Sequence, residues 1–140
     1  MATSPAKHDL LVAMIDVVVA GVGSRPDSDD PFADALDFAH ELRTALTSHP
    51  NTARLFAMNM SLQDSFAVQS LSARALVLLT RLGFDLPGAA VVFGQCLSFV
   101  TGSVLVEVAI RQSGGPASDI YDPAAAFDIG IRRLLGDTGI

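Results

Sequence analysis

Residues 85–112 read DLPGAAVVFGQCLSFVTGSVLVEVAIRQ, and no other stretch constrains the fold as much. Gly83 ends whatever precedes it, Asp85 can accept backbone N–H bonds as an N-cap, and Pro87 suits a first helical turn. The next break is Gly114-Gly115-Pro116, so the spacing predicts one uninterrupted helix. At ~1.5 Å per residue this rod is about 40 Å long, the height of a small domain. Val91, Phe93, Leu97, Val100, Val104 and Val108 fall on several of its sides. A helix apolar nearly all round is expected to be buried nearly all round.

One face differs. Ala90, Gly94, Ser98 and Gly102 follow each other at i,i+4 spacing and make a smooth strip that another helix can approach closely. Glycine costs about 1 kcal/mol against alanine inside a helix, so the two in this strip call for a packing reason. A membrane span is the rival reading, because residues 88–106 carry no charge and small-xxx-small strips join membrane helices. Gln95, Ser98, Thr101 and Ser103 inside the run, Glu107 just after it, and the lack of a basic cluster at either end weigh against that. The expectation is a buried spine, with no membrane partner.

The remaining 112 positions of a 140-residue chain suffice for one domain built around such a spine. Half the residues are hydrophobic and only 17% are charged, a balance that suggests apolar surface covered by a second copy or a ligand. A net charge of −6, with no basic stripe, argues against direct binding to nucleic acid or anionic membranes. The single cysteine, Cys96, cannot form an internal disulfide and fits a reducing cytoplasm. The N-terminal run MATSPAKHDLLVAMIDVVVAGVG places Asp9 and Asp16 where a signal peptide would not, and no A-x-A site follows.

Proline marks most helix starts. Ser4-Pro5 opens a first helix with Leu10, Leu11, Met14, Ile15, Val18 and Val22 at helical spacing, although Val17–Val19 would also suit a strand. The polar run SRPDSDD reads as a solvated linker, and Asp30-Pro31 starts a helix with Leu36, Ala39, Leu42 and Leu46 on one face. His49-Pro50 begins a short helix, and residues 63–82 form an amphipathic one closed by Gly83. Asp122-Pro123 opens the last helix, with Ala124, Phe127, Ile131, Leu134 and Leu135 inward. The expected fold class is all-α, about six helices packed as a bundle.

Little of this suggests chemistry. His8, His40 and His49 each lack a second ligand at i+3 or i+4, and the Asp27–Asp30 run lacks the turn glycine and terminal glutamate of a calcium loop, so no metal is expected. No phosphate loop, dinucleotide fingerprint or nucleophile elbow occurs, so neither a cofactor nor a catalytic residue is predicted. Cys96 sits among Val and Phe as an inert thiol, and Glu107 should pair with Arg111 on the helix surface. One constellation stands out: Phe56, Met58, Asn59 and Met60 from the short helix, Phe66, Ser70 and Arg74 from the next, and Phe93, Cys96, Val100 and Thr101 from the spine. These residues either fill a core or surround an apolar space with Asn59, Arg74 and Thr101 as orienting groups.

The order of segments LRTALTSHPNTARLFAMNMS, SARALVLLTRLGFDLPGA and FVTGSVLVEVAIRQ resembles the C-terminal ligand-binding and dimerisation domain of TetR-family transcriptional regulators, the tetracycline-repressor-like subset above all. AKHDLLVAMIDVVVAGV resembles the helix that joins that domain to the DNA-binding head. The resemblance implies a linking helix over 1–23, a linker over 24–30, the central helix over 85–112 and a dimerisation helix over 122–136. It also implies a homodimer in which the spine and last helix form a four-helix bundle with the same pair of a second subunit. Ala90, Gly94, Ser98 and Gly102 of the spine and Phe127, Ile131 and Leu134 of the last helix would then lie at that interface. The constellation becomes a candidate site for a small, mostly apolar effector.

Two departures limit the likeness. Phe56 and Ser98 occupy the positions that match the histidines holding a magnesium-bound drug in the tetracycline repressor, so metal–tetracycline sensing is not expected. A helix-turn-helix would have to precede residue 5, so the expectation is a domain without its own DNA-binding head. The alternative function is a biosynthetic enzyme, a cyclase or isomerase that reuses the pocket, with Arg74, Asn59 and Glu107 as the first residues to replace.

Overall fold

The computed structural model describes residues 5–58, 66–114 and 120–136, and among them it contains six helices and no strand. They are α1 Pro5–Val19, α2 Pro31–Thr47, α3 Pro50–Met58, α4 Phe66–Arg81, α5 Leu86–Ser113 and α6 Pro123–Leu134. Val17–Val19 are helical. One device starts α2, α5 and α6: an aspartate followed by proline within the first turn. The carboxylates of Asp30, Asp85 and Asp122 accept from the backbone N–H of Ala33, Gly88 and Ala125 at 3.1, 2.8 and 3.1 Å. At the other end of α4, Gly83 (φ 106°) allows its N–H to reach Thr80 O and that of Phe84 to reach Leu79 O, a Schellman stop.

The spine is one unbroken helix, as its sequence predicts. It packs on α2, α3, α4 and α6, while α1 lies across α2, α3 and α4. Ile15, Leu42, Leu46, Phe56, Leu78, Val100, Val104, Phe127 and Ile131 form one continuous core. The spine and α6 come very close at Gly130, where any Cβ would run into the ring of Phe99. Phe99 in turn stacks on Phe127 with ring centroids 5.5 Å apart and planes 7° from parallel.

Burial of the spine is one-sided, which corrects the expectation drawn from its composition. Ala89, Val100, Thr101, Val104, Glu107 and Val108 are buried. Leu86, Ala90, Val91, Gly94, Ser98, Gly102 and Val106 are exposed, and a Cβ on Gly94 or Gly102 would meet nothing within 4 Å. By length and apolar character α5 is the one helix among the described residues able to cross a membrane. Its Glu107, however, is held from the side by an arginine of α2, as expected of a bundle core helix.

Candidate functional site

Between α2, α4, α5 and α6 the interior leaves a cavity of about 40 Å³. Ala35, Phe38, Ala39 and Leu42 of α2 form one wall and Ala75, Leu78 and Leu79 of α4 another. Phe93, Cys96, Leu97 and Val100 of α5 face them, and Ile131 and Leu135 close the end. The space arises because three alanines stand where larger side chains would meet in the middle. It exceeds the ~10–15 Å³ that one water needs, yet its apolar lining offers a water no partners. The only side-chain heteroatom on the walls is the Cys96 sulfur. Burial pushes that thiol up to about 11, so at neutral pH it stays protonated and is neither a nucleophile nor an anion.

The sequence-derived site residues separate into three places. Phe93, Cys96 and Val100 do line the cavity. Phe56 is fully buried in the core and does not reach the cavity, and Thr101 spends its hydroxyl on Leu97 O of its own helix at 2.8 Å. Phe66 is 78% exposed at the start of α4, and with Ser70 and Arg74 it borders an outer groove of about 430 Å³ beside the end of α1. Asn59 and Met60 lie outside the described residues. The larger depressions, of about 330–520 Å³, lie around the end of α1 and the turn after it and carry polar walls, unlike the small cavity.

Arg74 is not an orienting group of this cavity. It forms an ion pair with Asp27, and Arg81 binds Asp34 Oδ2 at 2.9 Å and Ser28 O at 2.8 Å. Ser28 donates to both oxygens of Asp34, through its N–H at 2.9 Å and its hydroxyl at 2.7 Å. The run read as a solvated linker is therefore strapped to α4. The hydrogen bond from Arg74 holds the Asp27 carboxyl below the usual carboxylate range, and those from Ser28 and Arg81 do the same for Asp34.

A second polar group lies on the far side of α2. Glu107 is 2% exposed and accepts from Arg43 at 2.8 Å and from Arg111 at 2.7 Å. The pairing with Arg111 matches the i,i+4 spacing, but the carboxylate is buried rather than on the surface. The Arg43 guanidinium also sits 5.6 Å over the Phe127 ring. Asp128 of α6 accepts from Arg132 and meets His40 at 2.9 Å, and both partners lower its carboxyl, Arg132 more strongly. Phe127 and Ile131, expected at a subunit interface, are instead buried inside this chain, because Phe127 fills the space under His40, Arg43 and Phe99. Leu134 is partly exposed. No group of three or more His, Cys, Asp or Glu able to hold a metal lies among the described residues.

Six helices packed around a rod that is buried on one side, with a small apolar cavity beside it, define an all-α bundle. The chain belongs to the family described as tetracyclin repressor-like, C-terminal domain, whose model matches residues 25–128. Its fold is similar to that of a possible TetR family transcriptional regulator from Streptomyces coelicolor A3(2), with a TM-score of 0.72 at 24% identity over 92% of this chain and 76% of that one. A TetR variant from Acinetobacter baumannii AYE, solved in complex with minocycline, is similar at a TM-score of 0.72 and 25% identity, over 92% of this chain and 68% of the other. No curated protein matches the sequence significantly.

Proposed function

We propose that this chain is the effector-binding and dimerisation domain of a cytoplasmic TetR-type transcriptional regulator. The observation that carries the reading is the cavity between α2, α4, α5 and α6, which no side-chain oxygen or nitrogen lines. Such walls favour an uncharged, mostly apolar molecule and offer nothing to a metal-chelated drug. The similar structure from Acinetobacter baumannii was solved with minocycline; in this chain Phe56 is packed into the core and Ser98 lies on the outer strip. The homodimer would form over the exposed face of α5 through Ala90, Gly94, Ser98 and Gly102. Ile129 and Leu134 of α6 would extend that face in place of Phe127 and Ile131.

The test is the melting temperature against a panel of uncharged aromatic and alicyclic compounds. A ligand present at 100 times its Kd stabilises by about 2.7 kcal/mol, easily seen as a rise in melting temperature. Cys96→Met, which fills the cavity from α5, should abolish that rise while leaving the fold intact. A panel without effect, or an effect untouched by Cys96→Met, would contradict the assignment of this cavity.

A further inference from the structure

α6 rests on α2 through a short row of aromatic and charged side chains. Phe127 packs against His40 and Arg43, and the Arg132 guanidinium lies 5.9 Å from the centroid of the Phe32 ring. One of these contacts joins a titratable ring to a carboxylate: His40 Nε2 stands 2.9 Å from Asp128 Oδ1. Arg132 donates to the other oxygen at 2.8 Å, and Arg132 and His40 together hold that carboxyl below the usual carboxylate range. Asp128 therefore stays ionised throughout the region in which histidines change charge, about pH 5 to 8. An ionised carboxylate only accepts, so Nε2 keeps its hydrogen in either charge state. The proton that comes and goes is the one on Nδ1.

The His40 ring is 38% exposed and borders a groove of about 520 Å³, so protons reach it directly from water. Every neighbouring element sets the charge around it. α2 itself supplies Asp37 and Glu41, and also Arg43, which is committed to Glu107 of α5. The turn after α1 supplies Arg25, 3.8 Å from Asp37 and 3.9 Å from Glu41. The end of α1 adds only Val18, Ala20, Gly21 and Val22 to the groove, and α6 supplies Asp128 and Arg132. Asp37, Glu41 and Asp128 outnumber Arg25 and Arg132, which favours a charged ring. We infer that His40 and Asp128 form a proton-dependent clasp between α2 and α6, tight when the ring is charged and slack when it is neutral. Deprotonation leaves a hydrogen bond but removes the positive charge that strengthens it. The contribution is full at low pH and fades as pH rises through the titration of the ring. The clasp works whether or not the interior cavity takes a guest.

The experiment is a double-mutant cycle of His40→Gln and Asp128→Asn in the full chain, read by urea unfolding at about pH 5.5 and about pH 8, at one protein concentration. Contributions of His8 and His49 cancel in the cycle. The coupling between the two positions, expressed as an equilibrium factor, should be about two- to fivefold larger at the lower pH, the range of partly exposed ion pairs. Equal coupling at both pH values, or stronger coupling at the higher one, would overturn the inference. The carboxyl carbon resonance of Asp128 gives a second reading in the intact fold. It should move between about pH 5 and 8 in the natural protein and stay still in His40→Gln. A resonance unmoved in the natural protein, or moving equally in His40→Gln, would overturn the clasp as well. This comparison decides alone if Asp128→Asn loses helicity.

Discussion

Arg43→Ala tests how this bundle is held together at its least typical point. Arg43 is 15% exposed, Glu107 2%, and the guanidinium donates to Glu107 Oε2 at 2.8 Å while lying over the Phe127 ring. Truncation removes a charge-assisted hydrogen bond, about 1.5–3 kcal/mol, and a cation–π contact of about 0.5–1 kcal/mol. Breaking a buried pair from one side costs ~3–5 kcal/mol because the other charge is left stranded. Here Arg111 still holds Oε1, so the lower end applies, about 3 kcal/mol. With an unfolding entropy of about 2.1 cal/mol/K per residue, that corresponds to a fall of roughly 10 °C in a chain of 140 residues. Arg111 is 66% exposed, and Arg111→Ala should cost less than about 1 kcal/mol. Urea and thermal denaturation followed by circular dichroism, at one fixed protein concentration, measure both. Equal small losses for the two variants would show that Glu107 reaches solvent and would refute the reasoning.

Two further outcomes follow from the perturbed groups. The Cys96 thiol, raised by burial from 9.0 to about 11, should react with a thiol reagent at pH 8 about 100-fold more slowly in the folded chain than in urea. Similar rates would mean that the cavity is open to water. Asp34 is held below its usual value of 3.8 by Ser28 and Arg81, so its contribution is complete above that value and is lost as pH falls through the depressed one. Asp34→Asn should therefore be less stable than the natural protein at pH 6 and converge with it below pH 3.8, as read by urea midpoints. A difference independent of pH would mean that the carboxylate pairing does not strap the linker.

Much of the fold was legible because its punctuation is local. Three aspartate–proline starts and the Gly83 stop each act within four residues, and the structure places helix ends where they occur. What was not legible depends on distance in the chain. Asp27 and Arg74, or Arg43 and Glu107, are far apart in sequence, so Arg74 read as a pocket residue and Glu107 as a surface one. The cavity was half legible for another reason. Phe93, Cys96 and Val100 stood out on the spine, but Ala35, Ala39 and Ala75 make the space by being small, and alanines on an apolar helix face look like any core. Composition also cannot tell which molecule covers an apolar side, and so the spine looked buried all round when its own chain covers only one side.

That uncovered side leads to the decisive experiment, the molar mass of the purified chain by light scattering at micromolar concentration, beside Gly94→Leu and Gly102→Leu. Both glycines face open space in one subunit, so neither leucine disturbs the fold of a single chain. The expected result is twice 14.6 kDa for the natural protein and a shift toward 14.6 kDa for both variants with helicity retained. A natural protein that scatters as 14.6 kDa, or a dimer indifferent to both leucines, would contradict a partner helix seated on α5.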